Sequence, residues 1–302
     1  MRNFKCFLAS SSAEGFVSYF GTAYDPFDGW KAYIIKGGPG TGKSSFMKKV
    51  ASHKAKNIIE VCCASDPSSL DALIISDQKT IIMDGTSPHI TDPVLPGVSE
   101  TLLDFGRFWE SELLNENSAA IARLTKENKH CHKTAAKYIH YAGDILKNQH
   151  QTESSVPPID LIPFSDGRGT VHNAFIGGIT PDGLQYFTES IPAENRLYVS
   201  NEEYLRKAAQ LGKNHGYDVV VFKNPILPST FTDGIYIPKL SLLICNKIIA
   251  FNDEVYSEFL RLAAQEISHA KKIHDELERL YIAAMDFNAL DAYCEQIIKQ
   301  II

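Results

Sequence analysis

The chain has 302 residues, 44% apolar and 22% charged, which is enough apolar material for one large domain or two ordinary ones and excludes wholesale disorder. A formal net charge of −6 argues against a strongly basic nucleic-acid binder, so no specific nucleic acid is expected as a partner. No apolar run approaches the ~18 residues of a membrane span, and Met1 to Cys6 lacks the apolar stretch of a signal peptide. Six cysteines without a Cys-x-x-Cys pair read as reduced thiols. The expectation is a cytoplasmic globular protein with no membrane association.

In chain order, Phe7-Leu8-Ala9 and Glu14-Gly15-Phe16 read as a hairpin with an acid-Gly turn. Ala32-Tyr33-Ile34-Ile35 is a short β-prone run. It leads into Gly37-Gly38-Pro39-Gly40-Thr41-Gly42-Lys43-Ser44, an intact G-x-x-x-x-G-K-S/T phosphate-binding loop. The composition would produce that pattern by chance in roughly 1% of chains this long. Ser44 to Ser52 is helix-compatible, with Phe46, Met47 and Val50 on one face. Ile58 to Cys63 reads as a buried strand, with at least one of Cys62 and Cys63 in the core. Ser68-Ser69-Leu70-Asp71 has capping-box spacing and predicts a short helix just after Asp66-Pro67. Lys79 to Asp84 is an apolar strand ending in a carboxylate. The alternation predicts an α/β fold with a P-loop NTPase parallel sheet.

The chemistry follows from the loop. Its glycines let successive backbone N–H groups converge on phosphate oxygens at a positive helix N-terminus. The nucleotide-binding set is therefore Gly37, Gly38, Pro39, Gly40, Thr41, Gly42, Lys43, Ser44 and Ser45. Lys43 would reach the β- and γ-phosphates, and the loop's Ser44 hydroxyl together with Asp84, in the place of a Walker B aspartate, would organise Mg²⁺. Many P-loop ATPases place a Glu directly after that Asp to orient the attacking water, but here Gly85 follows. Asp66 is the first candidate for that role, with Glu60, Asp71 and His89 behind it. Arg107 and Arg168 carry no sequence context that makes either an arginine finger. His130, Cys131, His132 and His140 diverge around a helix rather than forming a ligand set.

The chain also matches itself. The first hairpin matches Phe175-Ile176-Gly177 and Asp182-Gly183-Leu184 at an offset of 168. Tyr33 matches Tyr198 at 165, and Phe46-Met47-Lys48-Lys49 matches Tyr204-Leu205-Arg206-Lys207 at 158. Asp66-Pro67 matches Asn224-Pro225 at 158, and Ile81 to Asp84 matches Leu243 to Asn246 at 162. The second copy therefore lacks both the phosphate loop and the Walker B carboxylate. The expected organisation is a P-loop unit over 1–150, a Pro-, Ser- and Gly-rich linker over 151–171, and a degenerate repeat over 172–302. Each unit is expected to end in a helical extension: about 98–150, with Leu102, Leu103, Phe105, Phe108 and Trp109 on its apolar face, and about 253–300. The basic 121–150 stretch and the acidic 253–302 stretch could dock by charge or be two solvated faces.

The stretch from Ile34 to Ser44, then Ser65 to Asp71, Asp84 to His89, and the ending from His274 through Phe287 resemble an uncharacterised bacterial family of tandem P-loop ATPases. The resemblance spans nearly the whole chain. Members commonly carry a P-loop in each half; this chain has lost the second. The resemblance implies ATP as ligand or substrate and supplies no physiological substrate. The reading is a Mg²⁺-dependent ATPase with one site, in the N-terminal half. One alternative is a nucleotide-gated regulatory protein with an unknown protein partner. The other is a small-molecule kinase, disfavoured by eight scattered arginines.

Overall fold

The computed structural model describes residues 3–53, 57–148, 161–246 and 253–302. Residues 151–160 of the 151–171 linker lie outside the described residues. The first half runs β1 (Phe4–Cys6), the hairpin β2 (Ala9–Ser12) and β3 (Gly15–Ser18), β4 (Lys31–Lys36), α1 (Lys43–His53), β5 (Ile58–Cys62), β6 (Leu70–Ile75), β7 (Thr80–Asp84) and β8 (Glu100–Asp104). Two helices follow, α2 (Ser111–Glu116) and α3 (Ser118–Lys147). The second half runs β9 (Val171–Ala174), the hairpin β10 (Gly177–Thr180) and β11 (Gly183–Tyr186), β12 (Asn195–Val199), α4 (Glu202–Asn214), β13 (Val219–Lys223), β14 (Thr232–Ile237) and β15 (Leu242–Asn246). It closes with α5 (Glu254–Ala283) and α6 (Phe287–Ile301).

The sheets are mixed, not parallel. The first has the order β1-β5-β6-β7-β4-β8, with β6 antiparallel to both β5 and β7. Leu70 to Ile75, expected to open a short helix, is that antiparallel strand. Ser68, the cap of the expected helix, instead joins a turn in which the Asp66 carboxylate accepts from the Ser68 and Ser69 hydroxyls at 2.7 and 2.9 Å. The stretch expected to start a helix near residue 98 contains β8, which adds an edge strand beside β4. Its Leu102 is half exposed rather than on a buried helical face.

The second sheet has the order β9-β13-β14-β15-β12, matching the first strand for strand and direction for direction except for β8. The likeness extends to irregularities. Register shifts fall at Val61/Cys62 and Phe222/Lys223, and left-handed residues precede β7 and β15 at Lys79 (φ 46°) and Ser241 (φ 47°). One correspondence differs from the sequence reading. Ile35 pairs with Asp84 and Val199 with Asn246, so β4 maps on β12 at an offset of 164, and the counterpart of Tyr33 is Leu197. Tyr33 is buried and Tyr198 exposed.

The two sheets do not merge; they stack. Ala32 and Ile34 of β4, Ile81 and Met83 of β7, and Phe222, Tyr236, Leu243 and Cys245 of the second half share one apolar layer between the sheets. The alternate residues Tyr33, Ile35 and Ile82 face α1, whose Phe46, Met47 and Val50 complete the outer layer. Across the molecule, Leu205 and Ala208 of α4 cover Val219, Ile235 and Ile244. At the junction Phe7 and Phe175, the equivalent residues of the two halves, exchange both backbone hydrogen bonds at 2.8 Å.

The long helices α3 and α5 pack as an antiparallel pair. Ala135, Ile139 and Ala142 meet Tyr256, Leu260 and Ala263 at one end, and Leu124 and Cys131 meet Ala270, Ile273 and Leu277 at the other. The helical extensions thus dock through apolar faces. Among the described residues no ion pair joins α3 to α5; pairs such as Arg123–Glu127 and Lys271–Asp275 lie within one helix. The final helix α6 leaves its own half: Leu290, Cys294, Ile297, Ile298 and Ile301 pack into the α1 layer of the first. No described helix is long and apolar enough to cross a membrane. All six cysteines are free thiols.

Candidate functional site

The Gly-rich loop bridges β4 and α1 at the carboxyl ends of the parallel neighbours β4 and β7. Gly40 and Gly42 take left-handed φ angles of 68° and 80°, which curl the chain so that backbone amides converge. A Cβ at Gly37 would stand 2.7 Å from the Thr41 hydroxyl oxygen. That hydroxyl donates to the Gly38 carbonyl at 2.9 Å and tightens the loop.

Three of the expected residues meet here. Lys43 Nζ lies 3.5 Å from Asp84 Oδ2 and donates to the Gly37 and Gly38 carbonyls at 2.8 and 2.7 Å. Both side chains are largely buried, at 14% and 16% exposure, which strengthens the attraction. The other Asp84 oxygen accepts from the Thr86 amide at 2.8 Å. Ser44 Oγ, in the first turn of α1, accepts from the Leu70 amide at 2.9 Å. A serine hydroxyl and a carboxylate oxygen are hard oxygen donors of the kind Mg²⁺ takes, so the donor set fits that ion.

Gly85 has a packing reason to follow Asp84. A Cβ there would stand 2.4 Å from Ile34 Cγ2, and the Gly85 amide donates to the Ile35 carbonyl at 2.9 Å. A glutamate cannot occupy this position without moving β4. The loop beyond is held by Lys36, whose ammonium donates to the Gly85 and Thr91 carbonyls at 2.8 and 2.9 Å.

The candidates for orienting water separate by their partners. Asp66 is engaged in its own turn and lies 3.8 Å from Lys271 of α5. Burial raises its pKa, but the Ser68 and Ser69 hydrogen bonds and the Lys271 charge outweigh that and hold it below the usual range. Glu60 pairs with Lys5 at 3.5 Å. Asp71 stands one step beyond the Ala72–Met83 pair, beside Asp84 on the neighbouring strand. It holds His89 Nε2 at 3.2 Å, and His89 Nδ1 is buried without a hydrogen-bond partner. Neither Arg107 nor Arg168 joins the site. Arg107 stacks over the Phe108 and Tyr293 rings, and Arg168 sits with Tyr217, Asp218 and Lys239 of the second half.

What the sequence reading missed is the cover on the loop. Glu278 Oε1 of α5 accepts from the Gly40 amide at 3.3 Å. Trp109 and Tyr281 lie over Gly38, and Leu290 of α6 over Gly42. The Trp109 indole N–H is buried there without a partner. The apolar spacing of α5 and α6 was the only local signal; which half they would cover is a tertiary fact. Of the cysteine and histidines of α3, His140 Nδ1 contacts the Ala13 carbonyl at 3.0 Å, and Cys131 lies with Glu266 and His269 in a group whose ligand-type atoms fall within 4.8 Å of one another. Burial, with the neighbouring His274, holds His132 below the usual histidine range. A second acid–imidazole group, His274, Asp275 and Glu278, brings ligand-type atoms within 4.8 Å on α5, but Asp275 is paired with Lys271 at 2.9 Å and Glu278 with Gly40.

The equivalent place in the second half is rebuilt. Only Ser200 and Asn201 separate β12 from α4, and the Asn201 side chain caps the helix by accepting from the Tyr204 amide at 2.8 Å. Glu202, at the position of Ser44, accepts from the Thr232 amide at 2.8 Å as Ser44 does from Leu70. Asn224 and Asn246 stand for Asp66 and Asp84, and Asp233 for Asp71. An anion would meet a capped helix and a carboxylate there.

Comparison of the chain with family models, curated proteins and solved structures found no match.

Proposed function

We propose that this protein is a Mg²⁺-dependent P-loop NTPase that hydrolyses ATP to ADP and phosphate at one site in its first half. The observation that carries the reading is the 3.5 Å pairing of Lys43 with Asp84 at the mouth of the Gly-rich loop, on adjacent parallel strands. On binding, Lys43 exchanges the Gly37 and Gly38 carbonyls for β- and γ-phosphate oxygens, and the loop amides and α1 N-terminus hold the remaining phosphate charge. Ser44 and Asp84 would hold Mg²⁺, which supplies charge neutralisation at the bridging oxygens. Asp71, braced by His89, orients the attacking water, because Asp66 is committed to its turn and Gly85 leaves no room for a glutamate. The common strand order of the halves supports an internal duplication in which the second copy keeps the core and not the site.

A second reading, a nucleotide-gated switch with little turnover and a protein partner, is favoured by the α5 carboxylate already seated on the loop. A kinase reading is weakened by the arginines: Arg107, Arg123, Arg196 and Arg261 all have partners away from the loop. The deciding experiment is phosphate release from γ-labelled ATP with Mg²⁺, alongside direct nucleotide binding, for wild type and Lys43→Ala. Turnover that disappears in the variant supports hydrolysis, and tight binding with negligible turnover supports the switch. A folded wild type that binds no nucleotide refutes both.

A further inference from the structure

We infer that the Glu278 carboxylate is a built-in occupant of the phosphate cradle, and that nucleotide enters by displacing it and loosening the α5–α6 corner from the loop. The inference rests on the P-loop reading above and concerns the regulation of that same site.

The Gly40 amide is one of the inward-turned donors of a phosphate-binding loop, and here it donates to Glu278 Oε1 at 3.3 Å. An anionic oxygen accepting from such an amide has the charge and acceptor chemistry of a phosphate oxygen. In the same state Lys43 is turned onto the Gly37 and Gly38 carbonyls, so the cradle's cation and one of its amides are both satisfied without ligand.

The contact belongs to a built interface. A Cβ on Gly40 would stand 2.9 Å from the Glu278 backbone carbonyl and 2.9 Å from Ile282 Cγ1. One on Gly38 would stand 3.2 Å from Trp109 and 3.4 Å from Tyr281, and one on Gly42 3.3 Å from Leu290. These glycines therefore serve close approach to α5 and α6 as well as loop curvature. The corner between the two helices is fastened to the segment after β8. The Glu110 amide donates to the Ala284 carbonyl at 2.7 Å and the Asp286 amide to the Phe108 carbonyl at 3.0 Å.

A polyphosphate cannot share the Gly40 amide with a carboxylate. Its charge repels Glu278, and the side chain must leave the cradle for a phosphate oxygen to take its place. Glu278 sits on the helix that packs along α3 and onto the second half's hairpin. Occupancy of the one phosphate site is thereby reported to the helical pair and the second half. The two halves act as sensor and readout.

The test uses full-length protein, fluorescent ADP and ATP, and thiol labelling at Cys294 of α6 read by mass spectrometry. Cys294 is 4% exposed, and burial raises its thiol pKa to about 11, so it labels only when α6 lifts. Glu278→Ala is expected to bind nucleotide about tenfold more tightly than wild type, with Glu278→Gln between them. Saturating ATP is expected to speed Cys294 labelling several-fold in wild type, and Glu278→Ala to speed it without nucleotide. If wild type binds nucleotide through Lys43 but both Glu278 variants keep its affinity within about twofold, the inference is overturned while the P-loop reading stands. Cys294 labelling indifferent to saturating nucleotide overturns it as well. Folded wild type and Glu278 variants that all fail to bind would sink the reading and the inference together.

Discussion

Asp233, the second half's buried carboxylate, offers the sharpest quantitative test of the electrostatics of this fold. Its side chain is 6% exposed; one oxygen accepts from Asn224 Nδ2 at 2.9 Å and the other has no hydrogen-bond partner. Burial pushes its pKa from 3.8 up to about 7; the Asn224 hydrogen bond opposes this and the nearby Glu202 charge adds to it. The group binds its proton more tightly folded than unfolded, so its contribution to stability is fully present below about pH 4 and is lost as pH rises through 7. About three units corresponds to a total on the order of 4 kcal/mol, of which roughly 3 kcal/mol is lost between pH 5 and pH 8. Asp233→Asn supplies a neutral acceptor for Asn224 and cannot ionise. In urea titrations it should match wild type only below about pH 4, and its advantage should grow by roughly 3 kcal/mol between pH 5 and pH 8. The groups facing the position are Glu202, whose charge adds to the Asp233 shift, and the neutral hydroxyls of Tyr186 and Tyr256, and all three are present in both proteins. Parallel stability profiles of the two proteins from pH 5 to pH 8 would refute the argument.

Three further outcomes are expected. Asp71→Asn and His89→Gln should lower kcat for ATP by about 10²-fold while nucleotide affinity stays near wild type, the mark of a group acting on water rather than on phosphate binding; a loss of affinity instead would place Asp71 in the binding set. Gly85→Ala, whose Cβ would stand 2.4 Å from Ile34 Cγ2, should destabilise the fold by about 1–3 kcal/mol in urea melts. Asn201→Ala removes the α4 cap on Tyr204 and should cost about 1 kcal/mol, with nucleotide binding unaltered because the proposed site lies in the first half.

The Gly-rich loop stands out in the sequence because its residues sit at fixed spacing, and the structure brings Lys43 within 3.5 Å of Asp84 on the neighbouring strand. The match of the two halves was legible in pairs such as Phe46 and Tyr204, both buried on the first turn of a helix. What failed was what depends on distant partners. Ser68 to Asp71 has the spacing of a helix cap, and the same side chains serve a turn entering a strand; the continuous apolar run from Ala72 to Ile75 has no periodicity to separate the two. Tyr33 and Tyr198 share a residue type but not a side of the sheet, since a one-residue slip turns a strand over. Leu102 to Trp109 reads as an apolar helical face, although only Leu103 and Phe105 of that stretch are fully buried, in the α1 layer. The Glu278 contact spans 238 residues of sequence, beyond anything a local pattern encodes.

The placement of α6 sets the order in which this chain can finish folding. Five of its apolar side chains, the last of them at Ile301, belong to the core layer under α1. The Gly-rich loop is therefore synthesised early, but the layer behind α1 stays open until α6, far downstream, has been made. The first half is not a unit that can complete itself during synthesis, and its long-range closure makes the last step of folding slow relative to local helix formation. Truncations that remove α6 would leave an apolar surface along α1, so a shortened chain would be prone to aggregate even though every residue of the loop is present.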